Sequence, residues 1–247
     1  LSIRPVLRVA AIAAGLLAYL PFHYLWKLFG RPSPWPRRFL FWVGYATGGR
    51  TRIVGTPLKR HVLFVSNHLS WLDIMVLAGA TGCAFVSKDE VGRWPVIGWL
   101  ARLNNTVFIA RTERSAVRGQ ADALRSALAT GQPVALFPEG TTAGGREVLP
   151  FRASLLASLF PPLAGIKVQP VAIDYGGAAE EIAWVGEEPA KANAKRVFSR
   201  KGKMPVIIHF LAPIDPADTP DRKALAQRSR SAIVEALTGS GCGPDRL

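Results

Sequence analysis

Val62-Leu63-Phe64-Val65-Ser66-Asn67-His68-Leu69-Ser70-Trp71-Leu72-Asp73 decides how this chain is read. Four apolar residues rich in Val and Phe, a polar Ser-Asn-His break, and a helical pattern from Trp71 to Ala80 spell strand, sharp turn, helix. In α/β proteins such a junction lies at the lip of the sheet, where side chains are rigidly held and chemistry is done. A histidine there becomes a directional base when a carboxylate accepts a hydrogen bond from one ring nitrogen, which fixes the tautomer and leaves the other nitrogen to take a proton. With His68 in the turn and Asp73 in the first helical turn, the two side chains can converge. A plainer reading has Ser70 as the helix cap, Asp73 at the third helical position as in a capping box, and His68 as a solvated loop residue. Asp73 can serve both.

A second break follows the strand-like Val134 to Phe137. Phe137-Pro138-Glu139-Gly140-Thr141-Thr142, continued by Gly144 and Gly145, offers backbone N–H groups and hydroxyls to an anion or an oxyanion. Taken alone it is an ordinary turn.

Together the two motifs resemble the glycerolipid acyltransferases, whose best known members are the 1-acylglycerol-3-phosphate (lysophosphatidic acid) acyltransferases. The family's His-x-x-x-x-Asp is met by His68 and Asp73, and its Phe-Pro-Glu-Gly-Thr by Phe137 to Thr141. Its Gly-x-x-Phe-Ile-x-Arg block is matched by Asn105 to Arg111, with Asn in place of Gly, and its Val-Pro-Val-type strand by Val168 to Ala172. The four blocks stand in the family's order between Arg52 and Phe210.

The resemblance implies direct acyl transfer, with His68 as base, Asp73 orienting it, and backbone N–H groups near Glu139 and Gly140 steadying the acceptor or the oxyanion. Glu139 itself is expected to hold the loop or the substrate headgroup, with Thr141 beside it. Arg111 would bind a phosphate, since a guanidinium grips phosphate oxygens bidentately. Arg152 stands where the family has a lysine, and Lys88 matches a basic position often found there. The acceptor implied is a lysolipid, 1-acyl-sn-glycerol-3-phosphate giving phosphatidic acid, or a lyso-ornithine lipid. The stretches Asn67 to Ile74 and Lys88 through Trp94, Pro95, Gly98 and Trp99 to Asn105 are similar to the lyso-ornithine subgroup. A thioester donor, on acyl carrier protein or coenzyme A, brings its own activation, so no metal or redox cofactor is expected. No Gly-x-Ser-x-Gly elbow is present for a serine-hydrolase route. A non-catalytic membrane-binding protein on the same fold would be expected to have lost His68, Asp73 or Glu139, and all three are there.

With 247 residues, 49% of them hydrophobic, the chain can bury one substantial core plus an appendage. We therefore expect an N-terminal membrane-anchoring helical segment, residues 1–47, and an α/β domain, residues 48–247. The chain opens on Leu1 rather than Met, which fits a truncation or an alternative start codon. Cys83 and Cys242 have neither the spacing nor the number for a disulfide framework or a zinc site, so a reducing compartment fits and Cys83 reads as a buried strand residue. Net charge is +14, and the ten Lys and Arg that precede the first acidic residue, Asp73, flank apolar, Trp- and Phe-rich segments. That pattern suits an anionic membrane surface better than nucleic acid, which would be met by a polar basic face.

Val9 to Phe29 is about long enough to cross a bilayer but is interrupted by Pro21, His23 and Lys27; Trp35 to Tyr45 follows a hinge at Gly30 to Pro36. The two form a hairpin lying in one leaflet, a span plus an interfacial helix, or a soluble hairpin packed on the core. The basic flanks put the enzyme on the cytoplasmic side of a bacterial-type inner membrane. Beyond Arg52, strand-like runs at Arg52–Val54, Val62–Val65, Ala84–Ser87, Thr106–Ile109, Val134–Phe137, Lys167–Asp174 and Val206–Phe210 alternate with helical patterns, which predicts a mixed, largely parallel sheet flanked by helices. Ser115 is expected to cap a helix with Val117, Ala121, Leu124 and Leu128 on its core face, and Thr219-Pro220 to open the last one. Glu180 to Lys203 reads equally as a loop, a basic interfacial helix or a solvated insertion.

Overall fold

The computed structural model describes residues 3–109 and 124–239, apart from the side chains of Lys88 and Ile109. Seven strands form one sheet in the order β1-β7-β6-β2-β5-β3-β4. They are β1 (Gly49–Val54), β2 (Val62–Ser66), β3 (Ala84–Lys88), β4 (Val107–Ile109), β5 (Val134–Leu136), β6 (Lys167–Asp174) and β7 (Met204–Phe210). Every expected strand is present, with ends shifted by up to three residues. All neighbours are parallel except β6 and β7. A parallel sheet buried on both faces calls for continuous apolar runs, and β2, at its centre, is fully buried along its length.

The two-residue period of β2 divides the core. Val62 and Phe64 join Leu72, Leu77, Tyr175 and Ile208 on one side. Leu63 and Val65 join Leu128, Val134, Leu136, Leu156 and Leu225 on the other. Each such side chain, taken fully from water, contributes about 1.5–3 kcal/mol. The first side is covered by α3 (Leu72–Thr81), on whose outer surface α2 (Trp35–Ala46) lies. Their approach needs Gly79, because a Cβ there would sit 2.7 Å from the Phe41 Cα. The long α1 (Arg4–Leu28) packs in turn on α2, with Gly15 against the Trp42 ring and Trp42 Nε1 donating to the Ala11 carbonyl at 2.8 Å. Pro21 is carried inside α1 without ending it.

The other elements used below are α4 (Pro95–Leu103), α5 (Ala190–Ser199) and α6 (Arg222–Gly239). Thr219 and Pro220 do not open the last helix; Asp221 does, its Oδ1 accepting from Lys223 and Ala224 N–H, both at 2.8 Å. The expected Ser115 helix falls partly outside the described residues, which are helical over 124–129 with Leu124 and Leu128 buried. Cys83 is buried just before β3, and burial pushes its thiol up to about 12, which leaves it inert.

Candidate active site

Three adjacent strands, β6, β2 and β5, bring the site together at their C-terminal ends. The parallel register pairs Leu63 with Val134 and Val65 with Leu136. Carried three residues past the last pair, the same offset sets His68 beside Glu139, although 71 residues separate them in the chain. On the other flank Asn67 is locked to β6, its amide donating to the Ile173 carbonyl at 2.9 Å and accepting from Ile173 N–H at 2.8 Å. The turn that carries His68 is therefore held from both sides before any substrate arrives.

His68 and Asp73 do converge. His68 Nδ1 lies 2.8 Å from Asp73 Oδ2. Asp73 is fully buried, and its carboxylate is saturated: Oδ2 also accepts from Leu69 N–H at 2.7 Å and Ser70 N–H at 2.9 Å, and Oδ1 accepts from the Tyr175 hydroxyl at 2.6 Å. An acceptor surrounded by three other donors has to take a proton-bearing Nδ1 from the imidazole, which leaves Nε2 as the lone-pair nitrogen. The ring is clamped in plane by Phe137, stacked at 3.9 Å and 9°, with Phe85 stacked behind it at 5.7 Å. Its side chain retains 17% of its surface, so the site is shielded but reachable.

The plainer capping role is met in altered form. The helix begins at Leu72, after Trp71, so Asp73 sits one position earlier than the capping box requires. Its carboxylate still reaches back to two loop amides, while Ser70 Oγ stands 3.4 Å from Leu72 N–H.

Glu139 holds the loop, one of the two roles expected of it. It is 2% exposed, and its two oxygens accept from His68 N–H at 2.7 Å and Leu149 N–H at 2.9 Å. The Gly140 N–H closes the turn on the Phe137 carbonyl at 3.1 Å. Its φ of +73° is the reason for glycine there. Thr141 is exposed at the tip of this turn, and Ala143 N–H returns to the His68 carbonyl at 2.7 Å. The Pro-Glu-Gly-Thr turn thus grips the His68 backbone at both its N–H and its C=O.

Arg152 stands exposed beside that turn. Its N–H bonds the Pro138 carbonyl at 2.8 Å and its guanidinium lies over Gly140, where a Cβ would come within 3.1 Å of Nε. Lys88 ends β3, but its side chain lies outside what is described, and Arg111 lies outside the described residues altogether. Asn105, where the glycine of the family block was missing, has φ +56°. The departure is accommodated because Asn tolerates the left-handed region better than most residues.

Two contributors escaped the sequence reading. Tyr175, fully buried, follows β6 directly; burial and then the Asp73 charge push its phenol well above its usual range, so it stays a donor. Its signal was only the end of a strand. The second is the segment after it: Trp184 N–H bonds the Leu69 carbonyl at 2.8 Å, the Thr142 hydroxyl bonds the Trp184 carbonyl, and Trp71 Nε1 donates to Asn193 Oδ1 at 3.1 Å. Residues 179–199 therefore tie the two site loops together from outside.

Burial pushes the Glu139 carboxyl up to about 7, against the two backbone donors that hold it down. Since the unfolded group titrates near 4.5, between these values the native state holds a proton that the unfolded state has lost, and stability falls as pH rises. Glu139→Gln removes this titration. We expect wild type to lose about 2–3 kcal/mol relative to the Gln variant across that window and nothing further above it, measured by denaturant unfolding at stepped pH. A flat difference would show that Glu139 does not titrate there.

The Acyltransferase family model matches residues 50–174. A lyso-ornithine lipid O-acyltransferase of Rhodobacter capsulatus is 36% identical over 97% of this chain and 90% of its own length. A 1-acyl-sn-glycerol-3-phosphate acyltransferase of Neisseria gonorrhoeae is 34% identical over 73% of this chain and 72% of its own. The crystal structure of PlsC, the 1-acyl-sn-glycerophosphate acyltransferase of Thermotoga maritima, superposes with a TM-score of 0.67 over 99% of this chain and 98% of that one, at 20% identity, and shares the fold.

Proposed function

The chain belongs to the acyltransferase family, and on that premise we propose that it moves a fatty acyl group from a thioester to the hydroxyl of a lysolipid, with His68 as the base. The observation that carries this is the His68–Asp73 pair at 2.8 Å, its carboxylate buried and fully hydrogen-bonded and its imidazole side chain still partly exposed.

His68 Nε2 takes the proton of the acceptor hydroxyl as that oxygen attacks the thioester carbonyl. The tetrahedral intermediate collapses, the C–S bond breaks, and the thiolate leaves with the proton returned from Nε2. Asp73, through its hydrogen bond to Nδ1, stabilises the imidazolium formed between the two steps. Glu139 and Tyr175 act as positioning residues, the first on the His68 backbone and the second on Asp73. Arg152, at the rim, and Arg111 are the cations we assign to the acceptor headgroup, and exposed Thr141, at the tip of the turn, is the residue we assign to the oxyanion. The donor is acyl carrier protein or coenzyme A thioester; no step requires a metal.

α1 is one helix long and apolar enough to cross a bilayer, and its outward face carries Val6, Leu17, Phe22 and Leu25 exposed. Held flush by Trp42 and Arg8, it fits attachment of residues 1–47 to one leaflet of an anionic membrane, with the rest of the chain on the cytoplasmic side.

As acceptor we favour a lyso-ornithine lipid, because two relatives that bear that name match over 96–97% of the chain at 36% identity, whereas those of Neisseria named for 1-acyl-sn-glycerol-3-phosphate match over 73% of it at 34%. The test is radiolabelled acyl donor offered with both lysolipids side by side. We expect the ornithine product to form faster; the reverse order assigns the reaction to phosphatidic acid, and no labelled lipid from either removes the proposal.

A further inference from the structure

The acyl-transfer chemistry leaves a cluster of cations unused, on the far side of the segment that joins the site loops. α5 buries Asn193 and Val197 and turns Lys191 and Lys195, four residues apart, outward. The turn after it adds exposed Lys201 and Lys203. None of these four lysines has an ion-pair partner among the described residues. The acids nearest in sequence are otherwise occupied: Glu188 pairs with Arg196 and Glu181 with Arg200, each at 2.6 Å, and of this stretch only Glu187 stands exposed without an ion pair among the described residues.

These lysines do not surround an ordinary polar face. Arg8 of α1 reaches across, its Nη1 donating to the Val197 and Phe198 carbonyls at 2.9 and 3.2 Å and its Nη2 lying 3.5 Å from the Gly202 carbonyl. It closes the C-terminal end of α5, where a cation is favoured, and brings the start of α1 alongside. There Ile3 and Val6 are about two-thirds exposed and Leu7 more than half. Unpaired ammonium groups next to bare aliphatic side chains are the chemistry of the headgroup boundary of an anionic bilayer, where phosphates meet the cations and the apolar groups sink below them.

We propose that α5 and the turn 200–203 form a second lipid-contacting surface, continuous with the start of α1, whose lysines bind the phosphates of anionic lipids. The proposal rests on the membrane attachment given above and adds a specific surface to it. Because α5 also holds Trp71 through Asn193, contact at this surface and the His68 loop share one rigid support.

The test uses the full chain with Lys191, Lys195, Lys201 and Lys203 all changed to Gln, a charge loss that leaves the buried face of α5 intact. Sedimentation is measured with vesicles of phosphatidylcholine alone and of phosphatidylcholine mixed equally with phosphatidylglycerol. Wild type is expected to prefer the anionic vesicles; in the variant that preference drops on the order of 10²-fold, with neutral-vesicle binding unchanged, while a Lys→Arg quadruple variant retains it. Full preference in the Gln variant overturns the proposal, as does an equal loss on both vesicle types. So does a loss confined to binding of an oligonucleotide, which would mark the surface as one for nucleic acid. Acyl transfer in neutral detergent micelles is followed in parallel: it should be the same in wild type and variant, and its absence from both would strike the enzymatic reading without touching the vesicle result.

Discussion

Replacing His68 by Ala lowers the rate of acyl transfer by about 10²–10⁴-fold and leaves the folded structure in place. The loss falls on chemistry because Nε2 is the group assigned to the acceptor proton and no second imidazole is positioned in the site to replace it. The fold survives because what holds this turn is backbone. The N–H of residue 68 still donates to Glu139 Oε1, and its carbonyl still accepts from Ala143. Asp73 Oδ2 keeps its two amide donors, so no buried charge is stranded. The stack on Phe137 and the hydrogen bond from Nδ1 to Asp73 Oδ2 are given up. Single-turnover transfer from a labelled thioester, with thermal unfolding of the same preparation, checks both halves. A purified variant with the wild-type rate would remove His68 from the mechanism.

Asp73→Asn is expected to cost a comparable factor, about 10²–10⁴ in rate, for a different reason. Three of the four donors around the carboxylate point at Oδ2, so the amide is forced to present its oxygen there and its NH₂ to the Tyr175 hydroxyl, which can turn to accept. Nδ1 of His68 keeps its partner and the ring its orientation. What disappears is the negative charge that stabilises the imidazolium once the proton has been taken. The expected signature is a fall in kcat with little change in KM. Asp73→Ala is the wrong experiment for this purpose, since it leaves two buried backbone N–H groups without acceptors at about 1–3 kcal/mol each and tests folding as much as chemistry. Tyr175→Phe removes one donor of four and should cost far less than either. A wild-type kcat in Asp73→Asn would show that the carboxylate serves only to hold the turn.

The parts legible from the chain alone are those whose cause is local. The strand-like runs marked the positions of all seven strands, most plainly β2, which is buried on both faces and so apolar over nearly its whole length, and least plainly β1, an edge strand carrying Arg50 and Arg52. The His68–Asp73 spacing was readable because a turn and one helical turn fix the distance between the two side chains. Asn in place of the family's glycine at position 105 is compatible with the left-handed backbone found there, since that tolerance belongs to the residue itself. Boundaries were less legible: the last helix is opened by Asp221 and not by Thr219, because either side chain can cap and only the path of the incoming chain selects between them.

The partners of Glu139 and the role of Tyr175 were not readable, and strand order is the reason. Which strand lies beside β2 depends on how two helical layers cover both faces of the sheet at once, and no window of sequence contains that information. Once β5 lies on one side in the observed register, Glu139 is carried to the His68 backbone and buried there; once β6 lies on the other, Tyr175 is carried to Asp73. The sequence by itself thus determined which residues are able to do acid–base chemistry and on which local turns they stand. Tertiary structure alone decided that a glutamate with the look of a substrate ligand is a buried clasp, and that a tyrosine with no motif completes the carboxylate, because hydrogen bonds between distant segments exist only after the sheet has brought them to one edge.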